Sequence, residues 1–347
     1  MIDEEGAGRA LAQRHRMATN TISFVVPVLN SKSYLAQCLD SVVGAIRHHG
    51  AAELIVVDNG STDGSYEMLL SQYGTVARVE RIEEVTISAV RNFGARFATG
   101  KYLAFIDSDC VVPNDYVDRV VQTFESVKAS ATGCMVGLPP SPHWIEKTWQ
   151  ELHEHTTDGY VRFINSANFV VKRDVFEQTA GFDESLITGE DAEYCQRLDG
   201  LGFKVYESHS VCIAHLRNPK SLPAFFIKNV WHGLGMFGTF RLSWLDRPVI
   251  MTFAFIALTA TGVGCLFLVN PNLGLRIGLL VLLSFFVPVV TVVYRSVIRG
   301  KLYRPLRATF LYWLYFAARS YALFTIAWRH LRDRGKPSVP ASLQSTK

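Results

Sequence analysis

The stretch from Arg91 to Cys110, RNFGARFATGKYLAFIDSDC, decides the fold. Its first part continues a helix from about Ser88 to Ala98, and Gly100-Lys101 makes a turn. Leu103, Ala104, Phe105 and Ile106 then form a short apolar run. Such a run suits a strand covered on both faces. Asp107-Ser108-Asp109 follows at the point where that strand must stop. Two carboxylates at this spacing can share one hard cation, or divide between a cation and a sugar hydroxyl. Ligands of open α/β sheets sit beyond the carboxyl ends of the strands. Mg2+ and Mn2+ favour oxygen ligands and commonly share them with substrate phosphates. Read locally, the two residues fit a turn cap ahead of Pro113 equally well.

The chain on either side repeats the strand–helix pattern. Ile22 to Leu29, ISFVVPVL, is an apolar β-rich run ending in Asn30 and Ser31. Ser33 to about His48 has Leu35, Leu39, Val42, Val43 and Ile46 near helical spacing. Glu53 to Val57 is a second buried strand that runs into DNGSTDGS, residues 58–65, a polar turn with Thr62 or Asp63 as helix cap. Val76 to Ile82 is a third strand candidate. This alternation predicts a mostly parallel sheet with right-handed crossovers. Downstream, Asp115 to Val127 reads as a helix and Ala131 to Leu138 as a strand. Prolines 139, 140 and 142 mark a loop. Trp144 to Asp158 reads as a helix with a solvated face. Asn165 to Val171 reads as a strand with small residues at its start, and Phe203–Tyr206 and Ser210–Ala214 as short strands leading to His215.

Four segments carry a resemblance: FVVPVLNSKSYLAQCLDSV, IVVDNGSTDGS, RNFGARFATGKYLAFIDSDC and AGFDESLITGEDAEYCQRL. In this order and spacing they resemble the family 2 glycosyltransferases with the GT-A fold, over about residues 20–216. The resemblance implies a nucleotide-sugar donor, with a UDP-sugar favoured, bound across the first half of the sheet. Pro27, Val28 and Asn30 would line the nucleoside pocket. Asp58 would meet the base, although an Asx turn explains it as well; Asn59 stands where the family often has a second Asp. Arg91 would hold the base or diphosphate. Asp107 would meet the ribose or the metal, and Asp109 would ligate a divalent cation, Mn2+ or Mg2+. His215 would join the metal or remain a structural histidine. Asp191, at the first turn of a helix whose N-terminus favours an anion, would be the general base of an inverting transfer, with Glu190 orienting it or the acceptor. Ala180 replaces the first Gly of the family's Gly-Gly-Phe-Asp-Glu turn. No Gln-x-x-Arg-Trp run occurs, which disfavours a processive polymerase.

Composition changes sharply near residue 218. The net charge of +4 is too small to suggest nucleic acid, and the late basic residues cluster beside apolar segments. Residues 1–20 read as a flexible polar tail without the apolar core of a secretory signal. After a catalytic domain at 21–217, residues 218–247 form an aromatic, basic segment suited to a membrane interface. A membrane region at 248–330 offers apolar stretches at about 248–269 and 277–294, each long enough to cross a bilayer. The third, 309–328, carries Arg319 and either spans or lies in the interface; a basic tail, 331–347, follows. The loop after the second stretch carries Arg295, Arg299, Lys301, Arg304 and Arg307. The positive-inside rule puts it, and the catalytic domain, on the cytosolic side of the plasma membrane. The six cysteines show no metal-finger spacing and read as reduced thiols. The whole reads as a membrane-anchored inverting glycosyltransferase acting on a lipid-linked or membrane-proximal glycan acceptor in envelope or extracellular polysaccharide synthesis. Two alternatives stay open: a polyprenyl-phosphate sugar transferase, or an inactive transferase-like scaffold.

Overall fold

The structure, a computed structural model, describes residues 21–134, 137–153, 157–238, 247–267, 272–301 and 303–332. The expected tail at 1–20, the break at Asn270-Pro271 and the basic tail beyond Arg332 lie outside these residues. The chain divides into two units: Met1–Pro139 with His155–Arg217, and Pro140–Glu154 with Asn218–Lys347.

The first unit begins with β1 (Ile22–Val28), α1 (Lys32–His49), β2 (Ala52–Asp58), a one-turn α2 (Ser65–Met68), β3 (Arg78–Arg81), α3 (Ile87–Ala95) and β4 (Tyr102–Ile106). β5 (Cys110–Val111), α4 (Tyr116–Ser126) and β6 (Ala131–Gly133) follow. α5 (Trp144–His153) belongs to the second unit. The first resumes with β7 (Gly159–Val161), β8 (Asn168–Lys172), α6 (Arg173–Gln178), α7 (Glu190–Gly200), β9 (Val205–Glu207) and β10 (Ala214–His215). The main sheet has the order β3-β2-β1-β4-β8-β6-β9-β7. Its first four strands are parallel, as the alternation predicts. β8 then runs antiparallel to both β4 and β6. The expected strand at Ser210–Ala214 is instead a 3-10 turn, His209–Val211, followed by β10, which pairs antiparallel with β5.

The central strands are buried on both faces, as their continuous apolar runs require. Phe24 and Val26 of β1 pack with Leu35, Leu39 and Val42 of α1 on one side. Val25, Leu103 and Phe105 pack with Val90, Phe169, Phe182 and Tyr194 on the other. The register pairs Val28 with Asp58, so the carboxyl ends of β1 and β2 lie side by side. The expectation of six reduced thiols fails at one pair. Cys134 and Cys212 form a disulfide, with Cα atoms 5.0 Å apart. They are 78 residues apart in sequence, so the sheet rather than any spacing motif brings them together.

The second unit comprises α5, α8 (Leu222–Gly238), α9 (Arg247–Cys265), α10 (Leu273–Arg299) and α11 (Pro305–Arg332). α5 is the expected helix with one solvated face, and its other face is buried. Ile145, Glu146, Thr148 and Leu152 are buried, and Ile145 packs with Phe225 and Leu311. The Trp149 ring lies against Phe225, Tyr312 and Tyr315. The amphipathic pattern of α5 has its apolar stripe turned onto α8 and α11, and only its opposite face is wet. α9 and α10 are long and apolar enough to cross a membrane. α10 runs further than the expected 277–294 because Asn272 caps it, accepting the N–H of Leu275, and Gly300 ends it in the left-handed conformation.

Candidate functional site

The site is built where the parallel strands end. Asp58, the last residue of β2, is fully buried. Its Oδ2 accepts the N–H groups of Gly60 and Ser61 at 3.1 and 3.0 Å, and Arg81 Nε lies 3.6 Å away. The Asx turn is therefore real, but it occupies one oxygen. Among the described residues Oδ1 has no hydrogen-bond partner. A buried acceptor of this kind calls for a donor from elsewhere. Asn59 receives the N–H of Val85 and donates to its carbonyl, which fastens the next loop. Asn30 stitches the first two strand ends together. Its N–H donates to Ser61 Oγ at 3.0 Å and its Oδ1 accepts the Thr62 N–H at 2.9 Å. Its φ of 48° is one that Asn tolerates better than most residues. Pro27 and Val28 are buried within β1, Val28 in the apolar core.

Asp109 faces His215. The imidazole Nε2 is 3.4 Å from Asp109 Oδ1. The β5–β10 pair explains this meeting across the chain: His215 is in register with Cys110, and the Leu216 N–H donates to the Asp109 carbonyl at 2.9 Å. Asp109, Cys110 and His215 form a group able to hold a metal ion. Burial, with help from Asp107 and Asp109, pushes the Cys110 thiol well up. Asp109 and His215, which face each other, offer carboxylate oxygen and imidazole nitrogen. That set suits Mn2+ or Mg2+ better than a thiolate-seeking ion. Asp107 is partly exposed beside it.

Arg91 joins this acidic turn to the second one. Its side chain is 3% exposed, donating to Asp107 Oδ1 and to Glu190 Oε1, both at 2.7 Å. Glu190 also accepts from Ser166 Oγ at 3.0 Å. Gly189, with φ 85°, turns the chain into α7, so Glu190 and Asp191 occupy its first turn. Asp191 Oδ2 accepts the Ser166 N–H at 3.3 Å. Burial raises Asp191 to about 7; neighbouring Glu190 adds to the rise, and the Ser166 N–H and Arg91 oppose it. A carboxyl poised there can act as a base near neutral pH.

The structure thus brings together Arg91, Asp107, Glu190 and Asp191, and separately Asp109 and His215. Sequence reasoning had Arg91 on the donor and did not see that it bridges two acidic turns. Ser166 was also missed as a positioning residue, although the small residues beginning that strand marked the place. Asn92 was missed as well. It holds the Ala180–Glu184 turn, donating to the Phe182 carbonyl at 2.8 Å and to Glu184 at 2.9 Å. Only its position one residue after Arg91 hinted at this.

The parallel-then-antiparallel sheet with acidic turns at its strand ends defines a GT-A fold. Mannosyltransferase PcManGT from Pyrobaculum calidifontis, solved with GDP-Man and Mn2+, has the same fold, with a TM-score of 0.54 at 15% identity over 94% of this chain and 96% of that one. Residues 23–180 match the family model described as glycosyl transferase family 2. Glycosyltransferase AglE of Haloferax volcanii is 27% identical over 207 residues, covering 57% of this chain and 67% of AglE. Succinoglycan biosynthesis protein ExoA of Rhizobium meliloti is 24% identical over 235 residues, covering 60% of this chain and 67% of ExoA.

Proposed function

We propose that this chain moves a glycosyl unit from a nucleoside diphosphate sugar to an acceptor hydroxyl, with inversion. The observation that carries the reading is Arg91, buried between Asp107 and Glu190. It ties an acidic turn suited to a donor to the helix start that holds Asp191. Asp58 Oδ1, buried and without a partner, suits an N–H of the base. Asp109 and His215 would hold a divalent cation, with Asp107 beside them. Such an ion neutralises charge on a diphosphate leaving group. Asp191 takes the acceptor hydroxyl's proton, the acceptor oxygen bonds to the anomeric carbon, and the bond from that carbon to the diphosphate oxygen breaks. Glu190, fixed by Arg91 and Ser166, positions the base.

The acceptor in this reading is a lipid-linked or membrane-proximal glycan. α9 and α10 support it, since they would keep the catalytic unit at a membrane surface, on the cytosolic side by the basic loop that follows α10. The name of ExoA, a succinoglycan biosynthesis protein, favours a polysaccharide setting. The complex of PcManGT with GDP-Man and Mn2+ supports a nucleotide-sugar donor and a divalent ion. Calorimetric titration of UDP, GDP, dTDP and CMP, with and without Mn2+, tests the reading. One nucleotide is expected to bind tightly and only with the ion, and Asp109→Asn to abolish that binding. Well-folded protein that binds none of the four would overturn it and favour a scaffold.

A further inference from the structure

The turn that joins α10 to α11 presents three cations with no carboxylate partner among the described residues. Lys301, Arg304 and Arg307 are all exposed, and none of them forms an ion pair there. The neighbouring sequence offers no remedy, because no Asp or Glu occurs between Arg247 and Arg332. The turn itself is well fixed. Gly300, at φ 58°, ends α10, and the Lys301 N–H donates to the Ser296 carbonyl at 3.2 Å. Tyr303 is buried in a cluster with Leu152, Ala308 and Tyr312. The Lys301 ammonium lies 5.7 Å from the centre of the Tyr303 ring, and the Arg307 guanidinium 5.5 Å from that of Trp144. A ring face attracts a cation without using up its N–H donors.

Apolar side chains stand among these cations. Leu306 is 86% exposed, Val297 75% and Ile298 63%. A basic face that met only water would need no explanation, but aliphatic side chains this exposed beside it do. Cations interspersed with apolar side chains match a bilayer surface, where phosphates lie over the acyl boundary. An acidic protein would meet the cations and leave the aliphatic side chains without a counterpart. α10, long and apolar enough to cross a bilayer, ends at this same turn.

We propose that Lys301, Arg304 and Arg307, with Val297, Ile298 and Leu306, form a docking surface for anionic phospholipid. The cations pair with headgroup phosphates, and the aliphatic side chains enter the acyl boundary beneath. A zwitterionic headgroup carries its own ammonium and brings no net countercharge to the three cations. Each base beside an anionic leaflet strengthens binding about fivefold, and salt screens the gain. The inference rests on the reading of α9 and α10 as membrane helices, and it requires no choice of sugar or acceptor.

The test offers the full chain, purified in a neutral detergent, equimolar dioleoyl-phosphatidylglycerol and dioleoyl-phosphatidylcholine. Native mass spectrometry reads which lipid is retained. The glycerol lipid is expected to exceed the choline lipid at least about tenfold. In the triple variant Lys301→Gln, Arg304→Gln, Arg307→Gln the two lipids should be retained about equally. Lys204→Gln, which removes an exposed cation from the first unit, should keep the parent ratio. Equal retention by the parent chain, an undiminished ratio in the triple variant, or a ratio that falls as far in Lys204→Gln overturns the proposal. So does displacement of the glycerol lipid by hexaglutamate, which would assign the surface to an acidic protein. If the triple variant aggregates, salt decides. Raising ammonium acetate from about 0.05 to about 0.5 M should bring the parent ratio close to one, and an unchanged ratio is fatal. Carbonate extraction of the chain from vesicles tests the membrane reading separately. A chain that carbonate releases is not held by α9 and α10, and the docking surface falls with that reading. A chain that resists carbonate but shows no lipid preference loses the docking surface alone.

Discussion

Asp191 and Ala180 show how single residues in one acidic segment do different work. Asp191 is raised to about 7, first by burial and then by Glu190. A base works only when ionised, so transfer should fall as pH drops through about 7, approaching tenfold per unit well below it. The stability effect has the opposite sign. A carboxyl whose folded value lies above its unfolded one stabilises the fold at low pH, and that contribution is lost as pH rises through about 7. Asp191→Asn should cut transfer by roughly 10²- to 10⁴-fold and leave nucleotide binding intact. A rate that stays flat from pH 5 to 8, or full activity in the Asn variant, would remove Asp191 from the mechanism. Ala180 sits at φ 59°, where α6 turns back through the Gly181 N–H onto the Phe176 carbonyl. A left-handed non-glycine residue costs about 1–2 kcal/mol. Glycine removes that strain and loosens the unfolded chain by about 0.4–1 kcal/mol. Ala180→Gly should therefore stabilise by roughly 0.5–1 kcal/mol, read as a higher melting midpoint; a lower midpoint would show that the turn carries no strain.

At the scale of elements, α3 is held close to the sheet by Gly94. A Cβ there would lie 2.6 Å from Val25 Cγ1 and 3.1 Å from Val57 Cγ2, in a core with no room to give. Alanine gains about 1 kcal/mol as a helix former. Overpacking costs about 1–3 kcal/mol and outweighs it. Gly94→Ala should lower stability by up to about 2 kcal/mol, and since α3 carries Arg91, nucleotide binding should weaken with it. A midpoint at or above that of the parent chain would mean the sheet yields freely. The elements that could be read from sequence are those whose burial is written in composition: β1, β2 and β4 are continuous apolar runs, and α1 keeps helical spacing. β10 could not be read, because two residues become a strand only by pairing with β5. The Cys134–Cys212 bond was hidden for the same reason, and in α5 the solvated face was legible while the buried stripe of Ile145 and Leu152 was not. In the site, the carboxylates were legible as motifs. The partners that fix them, Ser166 and Asn92, were not, since their roles depend on where the second acidic turn folds back.

At the scale of the whole molecule, α9 and α10 are the helices long and apolar enough to cross a membrane among the described residues, and a test of whether they do so bears on the proposed acceptor. α9 has 19 residues and so spans about 28 Å, close to the thickness of a bilayer's hydrocarbon core. α10 is longer and carries Arg295 and Arg299 toward its end, with Lys301, Arg304 and Arg307 after it. Phe253, Leu282, Phe286 and Val293 are exposed apolar side chains on these two helices, as lipid-facing positions would be. A hairpin crossing twice puts the end of α9 on the outer face and the basic loop inside. Cys265 ends α9 and is half-exposed, whereas Cys38, Cys110 and Cys195 are buried. A membrane-impermeant maleimide added to intact cells should label the chain, and Cys265→Ser should abolish the label. Labelling that appears only after the membrane is opened would put Cys265 inside, and with it either the opposite orientation or no crossing. The first outcome leaves a cytosolic active site fed by soluble nucleotide sugars and facing a membrane-bound acceptor; the second would require a donor on the other side of the bilayer or an acceptor free in solution.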